Sequence, residues 1–184
     1  MSRGSLIAAV MFLCLAAVLY ALVIFTAQGD PITLGISSPA FNPGERIPVL
    51  CTCDGTDISP RLSWRGAPAG VKTYALIMDD PDSAGGTFTH WVIFNVPGDA
   101  MGLPENVPKD GSLDDGAVQG KNDFGNTGYN GPCPPAGKTH HYTFHLYALD
   151  TVLGLNPGAS ASDVRAAIQG HILARGELMG TYSR

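Results

Sequence analysis

Charge is scarce in this sequence. Only 15% of its 184 residues are Asp, Glu, Lys or Arg, and 11 basic residues face 16 acidic ones, for a formal net charge of −5. A chain so poor in basic groups has no general attraction for nucleic-acid phosphates. Four cysteines are too few for a small fold built on disulfides. There is no zinc-type cysteine pair, no nucleotide-binding glycine loop, no HExxH spacing and no internal repeat. What is plentiful is glycine and proline: 23 and 14 residues, about a fifth of the chain against roughly 12% in an average protein. So turn-rich a chain is no helical bundle or coiled coil. With 45% apolar residues and a small net charge, it is not a disordered one either.

The mean hydropathy of +0.10 is high for a soluble domain, and the excess has one location. Ser5 to Ala27 is a run of 23 residues without a charge, preceded by Arg3 and followed by Asp30. About 20 apolar residues cross a bilayer as a helix, whereas a signal peptide has a shorter apolar core of roughly 7–15. Residues 1–29 are therefore expected to be an uncleaved single-pass anchor, with a signal cleaved after Gly29 as the alternative. Cys14 is a poor lipidation site, because Phe12 and Leu13 precede it and the apolar run continues beyond. Arg3 on the short flank favours a cytoplasmic N-terminus, which puts residues 30–184 outside the cytoplasm, as an anchored or secreted domain. That domain has 155 residues, 10 basic and 16 acidic, for a net charge of −6.

The exported part reads as β-structure with one late helix. ITLGISSPAF after Pro31 is extended, and IPVLCTC alternates into a strand with Cys51 and Cys53 on the same side. The short apolar runs at 74–78 (YALIM) and 91–96 (WVIFNV) predict buried strands. Residues 97–135 form a long segment dense in Gly, Asp, Asn and Pro, and a loop of that length in a compact domain is usually functional. HYTFHLYAL (141–149) alternates again, with Tyr142, Phe144, Leu146 and Ala148 on one face. Ser162 is positioned to cap a helix over DVRAAIQGHILA, where Val164, Ile168, Ile172 and Leu173 form an apolar stripe, with Gly176 ending it and ELMGTYS returning as a last strand.

Three clusters carry chemistry. Asp79-Asp80-Pro81-Asp82 follows a buried strand, and carboxylates this close need donors, a cation or solvent. His90 opens the next strand. Gly131-Pro132-Cys133-Pro134-Pro135 leads into Thr139-His140-His141-Tyr142, where strand alternation turns His140 and Tyr142 one way and His141 with His145 the other.

These segments make a family resemblance specific. DISPRLSW (57–64), ALIMDDPDS (75–83), HWVIFNVP (90–97), NDFGNTGYNGPCPP (122–135) and HHYTFHLYALD (140–150) together resemble the phosphatidylethanolamine-binding proteins, in the Raf-kinase-inhibitor-like group of bacteria and archaea. The resemblance implies an antiparallel β-sandwich with a small anion pocket at one end. It implies a ligand set of Asp80, His90, Cys133, Pro134, Pro135, His140 and Tyr142, with Asp82 bracing the loop. The implied function is non-enzymatic binding of a phosphate-bearing headgroup or similar ligand, without cofactor or metal. Some family members regulate kinases or inhibit proteases, so action through a protein surface is the first alternative. A metal-dependent hydrolase using Asp80, Asp82, His90 and His140 is the second.

Two departures stand out. Ser83-Ala84-Gly85-Gly86 follows the DPD motif where the family commonly has alanine and proline, and His141 stands where relatives often carry arginine. Cys51 and Cys53 are poorly spaced to bridge each other. Convergence of the pocket loops would allow Cys53 to pair with Cys133 in an oxidising compartment, and three free thiols are the other outcome.

Overall fold

The computed structural model describes residues 32–184, so the anchor or signal expected over residues 1–29 lies outside the described residues. Among the described residues no helix is long and apolar enough to cross a membrane. The two apolar runs become the centre of the main sheet: β4 (Thr73–Asp80) is buried along its whole length, and β5 (Phe88–Pro97) nearly so. A strand covered on both faces has no polar face to alternate with, which is why these runs lack period-two patterning. β8 (Thr139–Leu149) and β9 (Ile172–Ser183) alternate, as strands with one face on the core should.

The short strands β1 (Ile32–Thr33) and β7 (Val118–Gln119) complete a six-stranded sheet in the order β1-β9-β8-β4-β5-β7. β2 (Gly35–Ser37), β3 (Leu62–Arg65) and β6 (Gly102–Leu103) form a second sheet of three strands. All pairings are antiparallel except β1 with β9, which is parallel and departs from the purely antiparallel expectation. One core lies between the sheets, where Trp64, Leu62 and Ile36 meet Met78, Trp91, Phe144 and Leu146. A second, smaller core covers the other face of the main sheet, with Ala75, Ile77, Val92 and Phe94 under Val164 and Ile168.

The helix is shorter and starts earlier than the apolar spacing suggested. α1 spans Ala161–Ala167, and its cap is Ser160, not Ser162: Ser160 accepts from Asp163 N, and the Asp163 side chain accepts from Ser160 N. Ile168 closes the helix and Gly170 follows at φ 79°, so Ile172 and Leu173 belong to β9. Gly176 is no helix stop. It lies inside β9 opposite Leu146, where a Cβ would come within 2.7 Å of Leu34 O. IPVLCTC is not a strand either. Val49–Cys51 makes a 3-10 turn, with Thr52 Oγ1 donating to Val49 O at 2.8 Å, which buries Cys51 and leaves Cys53 exposed.

Candidate functional site

Three strands bring the sequence-predicted residues to one end of the main sheet. β4 ends at Asp80, β5 begins beside it with Asp80 opposite Phe88, and antiparallel β8 begins at the same end. Strand alternation then separates the two adjacent aspartates. Asp79 turns toward α1, where Thr89 Oγ1 donates to its Oδ1 at 2.9 Å and the Arg165 guanidinium bonds its Oδ2. Asp80 turns the other way, into a cavity of about 250 Å³.

That cavity is lined by five of the expected residues: Asp80, His90, Cys133, Pro135 and His140. Ser83 and Ala84 from the departing loop complete the lining with Phe88 and Phe124, two aromatic residues that the sequence reading did not single out. Tyr142 and Pro134 are buried and are not among the lining residues. The Tyr142 ring stands edge-on to His90 at 5.1 Å and stacks with His140 at 6.5 Å, and its buried hydroxyl has no hydrogen-bond partner among the described residues. Burial, reinforced by the Asp80 charge, raises its pKa and keeps that hydroxyl protonated. Asp82 is exposed and is not among the residues lining the cavity. Its Oδ2 accepts both His141 N and His141 Nδ1 at 2.7 Å, bonds that hold its carboxyl below the usual range.

The hydrogen bonds fix where the protons sit. His140 Nδ1 lies 2.7 Å from Asp80 Oδ2 and donates to it, while Asp80 Oδ1 accepts from Asp82 N at 2.8 Å. His90 Nδ1 faces two carbonyl oxygens, Asn130 O at 2.9 Å and Gly131 O at 3.1 Å. Carbonyls only accept, so Nδ1 carries the hydrogen, and the neutral ring presents a lone pair at Nε2. That Nε2 is 4.0 Å from Asp80 Oδ2. Burial lowers the His90 pKa, with the two carbonyl bonds and the Asp80 charge working against it. Among the described residues no three His, Cys, Asp or Glu side chains converge as a metal-holding group.

The proline-rich loop is backed by the turn after Cys51. Cys53 and Cys133 are joined by a disulfide across 80 residues of sequence, with Cα atoms 5.4 Å apart, and Cys53 N donates to Pro132 O at 3.1 Å. Cys51 is the free cysteine among the described residues, and burial, aided by the Glu105 and Asp57 charges, pushes its thiol up to about 11. Asp57 accepts from Gly131 N at 2.6 Å, Asn130 Nδ2 at 2.7 Å and Lys109 Nζ at 3.0 Å. Asn122 supports the opposite wall, accepting from Phe124 N and Asn126 N at 3.1 Å and donating to Asn130 Oδ1 at 2.9 Å. The sequence reading gave these supporting residues no role. Their signal lay in the motif segments DISPRLSW and NDFGNTGYNGPCPP, which carry the polar groups that clamp the loop.

Comparison with known proteins now decides the family. The sequence profile described as phosphatidylethanolamine-binding protein matches residues 37–183. The chain belongs to the phosphatidylethanolamine-binding protein family. Its fold is thus a ligand-binding one shared across that family. A UPF0098 protein from Methanothermobacter thermautotrophicus is 56% identical over 151 residues, covering 82% of this chain and 99% of the relative. A crystal structure from Chlamydia trachomatis, titled as a homologue of phosphatidylethanolamine-binding protein, superposes with a TM-score of 0.76 at 38% identity, covering 83% of this chain and 98% of that one. A relative in Mycobacterium tuberculosis that carries a lipoprotein name, LppC, is 40% identical over 83% of this chain and 73% of its own length. In this family member the two aspartates of the DPD motif part company: Asp80 lines the cavity and bonds His140, and Asp82 ties the following loop to His141 at the start of β8.

Proposed function

We propose that this family member is a non-enzymatic binding module whose cavity takes a small phosphate-bearing headgroup, held chiefly by His90 and His140. The observation that carries the reading is Asp80 Oδ2, buried between two imidazoles at one 250 Å³ cavity. With both rings neutral the three groups carry one negative charge, and an anion is repelled. With both rings protonated they carry one positive charge, and each Nε2 gains a hydrogen to donate. Anion binding is then coupled to proton uptake and favoured in acid. Among the described residues no arginine or lysine lines the cavity, although Arg184 reaches the lining residue Cys133 with its guanidinium 3.8 Å from Sγ.

The same reading places the domain outside the cytoplasm, held at a membrane by residues 5–27 or secreted after cleavage. Support comes from the uncharged run itself, from the lipoprotein name of the mycobacterial relative, and from the Cys53–Cys133 pair, which persists best in an oxidising compartment. Calorimetry with inorganic phosphate in two buffers of different ionisation enthalpy tests the site. The expected result is binding in acid with net proton uptake, weakened in His140→Ala. Binding that takes up no protons speaks against it.

A further inference from the structure

Asp57 is 73 residues from Asn130 in sequence, but the two are bonded. Its carboxylate takes the loop from two sides, Gly131 N on Oδ1 and Asn130 Nδ2 on Oδ2. The carbonyls of those same two residues are the acceptors for His90 Nδ1. Asn130 N donates in turn to His90 O at 3.1 Å, so the strand and the loop are pinned together at the imidazole. We propose that Asp57 is the positioning residue of the cavity: by fixing the 130–131 peptide groups it keeps the proton of His90 on Nδ1 and turns Nε2 to the ligand. The proposal rests on the reading that His90 meets the ligand through Nε2.

Three further features of the chain fit this role. Asp57 has a left-handed backbone, φ 59°, a conformation that Asp and Asn tolerate and most side chains avoid. Asn at this position therefore preserves shape and backbone, and changes only the hydrogen bonding. The replaced oxygen becomes an NH2 group facing other donors, Asn130 Nδ2 or Gly131 N, with Lys109 Nζ beside them. Lys109, for its part, reaches Asp57 from the exposed side and is not among the residues lining the cavity. His140 is held by Asp80 instead of by the loop, so it serves as an internal control.

Nitrogen-15 NMR of the imidazoles in the full-length protein, in detergent, reads the proton position directly. In the wild type His90 is expected with Nδ1 protonated and Nε2 bare at neutral pH. In Asp57→Asn and Asp57→Ala the ring is expected to become a mixture of both tautomers, while the His140 signals stay in place and Lys109→Ala changes nothing. If the binding orientation of the ring is then kept about a fifth of the time, affinity for inorganic phosphate falls about fivefold. A wild-type His90 with its proton on Nε2 overturns the proposal, as does a folded Asp57→Asn or Asp57→Ala protein with the wild-type tautomer. A loss in Lys109→Ala equal to that in Asp57→Ala also overturns it, by moving the effect off the loop bonds. The tautomer is read without ligand, so a protein that fails to bind phosphate refutes the functional reading and leaves this test intact.

Discussion

Asp80 Oδ2 accepts the Nδ1 hydrogen of His140 at 2.7 Å and lies 4.0 Å from His90 Nε2. One oxygen at the end of β4 thus orients one imidazole and faces the other. Asp80 and His140 are both buried, so neither has water as a ready substitute partner. Asp80→Ala leaves the His140 Nδ1 hydrogen without its acceptor and is expected to cost about 1.5–3 kcal/mol of stability, the range for a bond to a charged group. Urea denaturation at neutral pH measures it. A loss under about 0.5 kcal/mol, the level of an ordinary surface change, contradicts the pairing.

Stability is expected to fall as pH drops through the histidine range. Burial depresses the pKa of His90 in the folded protein. The unfolded chain, titrating near 6.5, therefore binds its proton first as pH falls. The His90 contribution is complete above about pH 6.5 and is lost as pH falls through the lowered folded value. Denaturation midpoints between neutral pH and about pH 5 should decline, with a shallower slope in His90→Gln. On the proposed function the folded protein alone offers the phosphate site, so added phosphate should offset the decline in acid. A wild-type slope no steeper than that of the variant counts against the burial argument.

Gly131 is required by close approach. A Cβ there would lie 2.0 Å from Cys51 O, a backbone atom that cannot swing aside. Gly131→Ala must push the proline loop off the 51–52 turn and is expected to cost about 3 kcal/mol. Thermal unfolding checks this; a variant of unchanged melting temperature shows the contact to be slack.

The three cysteines of residues 30–184 should behave unequally. Cys53 and Cys133 are bridged, and Cys51 is 1% exposed with its thiol pKa pushed up to about 11. Alkylation of the native, unreduced domain should label none of them. Unfolding without reductant should add one label, and unfolding with reductant should add three. Replacing Cys53 and Cys133 by serine is expected to cost about 2–4 kcal/mol. Mass spectrometry reads the first pattern and urea titration the second.

What the sequence revealed follows from how local each signal was. YALIM and WVIFNV were legible as strands because burial on both faces leaves a plain apolar run, and HYTFHLYAL because one buried face leaves alternation. The helix was misplaced because its apolar spacing continued through Ile172 and Leu173, which pack equally well from β9. The Ser160–Asp163 capping box was present in the sequence, but Ser162 competed with it as a plausible start. Cys51 and Cys53 looked like a strand pair until the 3-10 turn at Val49 broke the alternation. Of the cavity residues, the titratable ones stood out by chemistry. Phe88 and Phe124 did not, because an aromatic residue wall is indistinguishable in sequence from core. Asp57 and Asn130 could not be connected at all from sequence: their bond spans 73 residues and depends on the closed fold.

The central claim is that an anion enters beside Asp80 when His90 and His140 carry protons. The direct measurement is calorimetric titration of the full-length protein with glycerophosphoethanolamine, whose phosphodiester keeps a single charge, at about pH 5.5 and about pH 8, either side of the histidine range. The account predicts at least about tenfold tighter binding at the lower pH, net proton uptake on binding, and loss of most of that difference in His140→Ala. Equal affinity at both pH values, or tighter binding at the higher one, contradicts it.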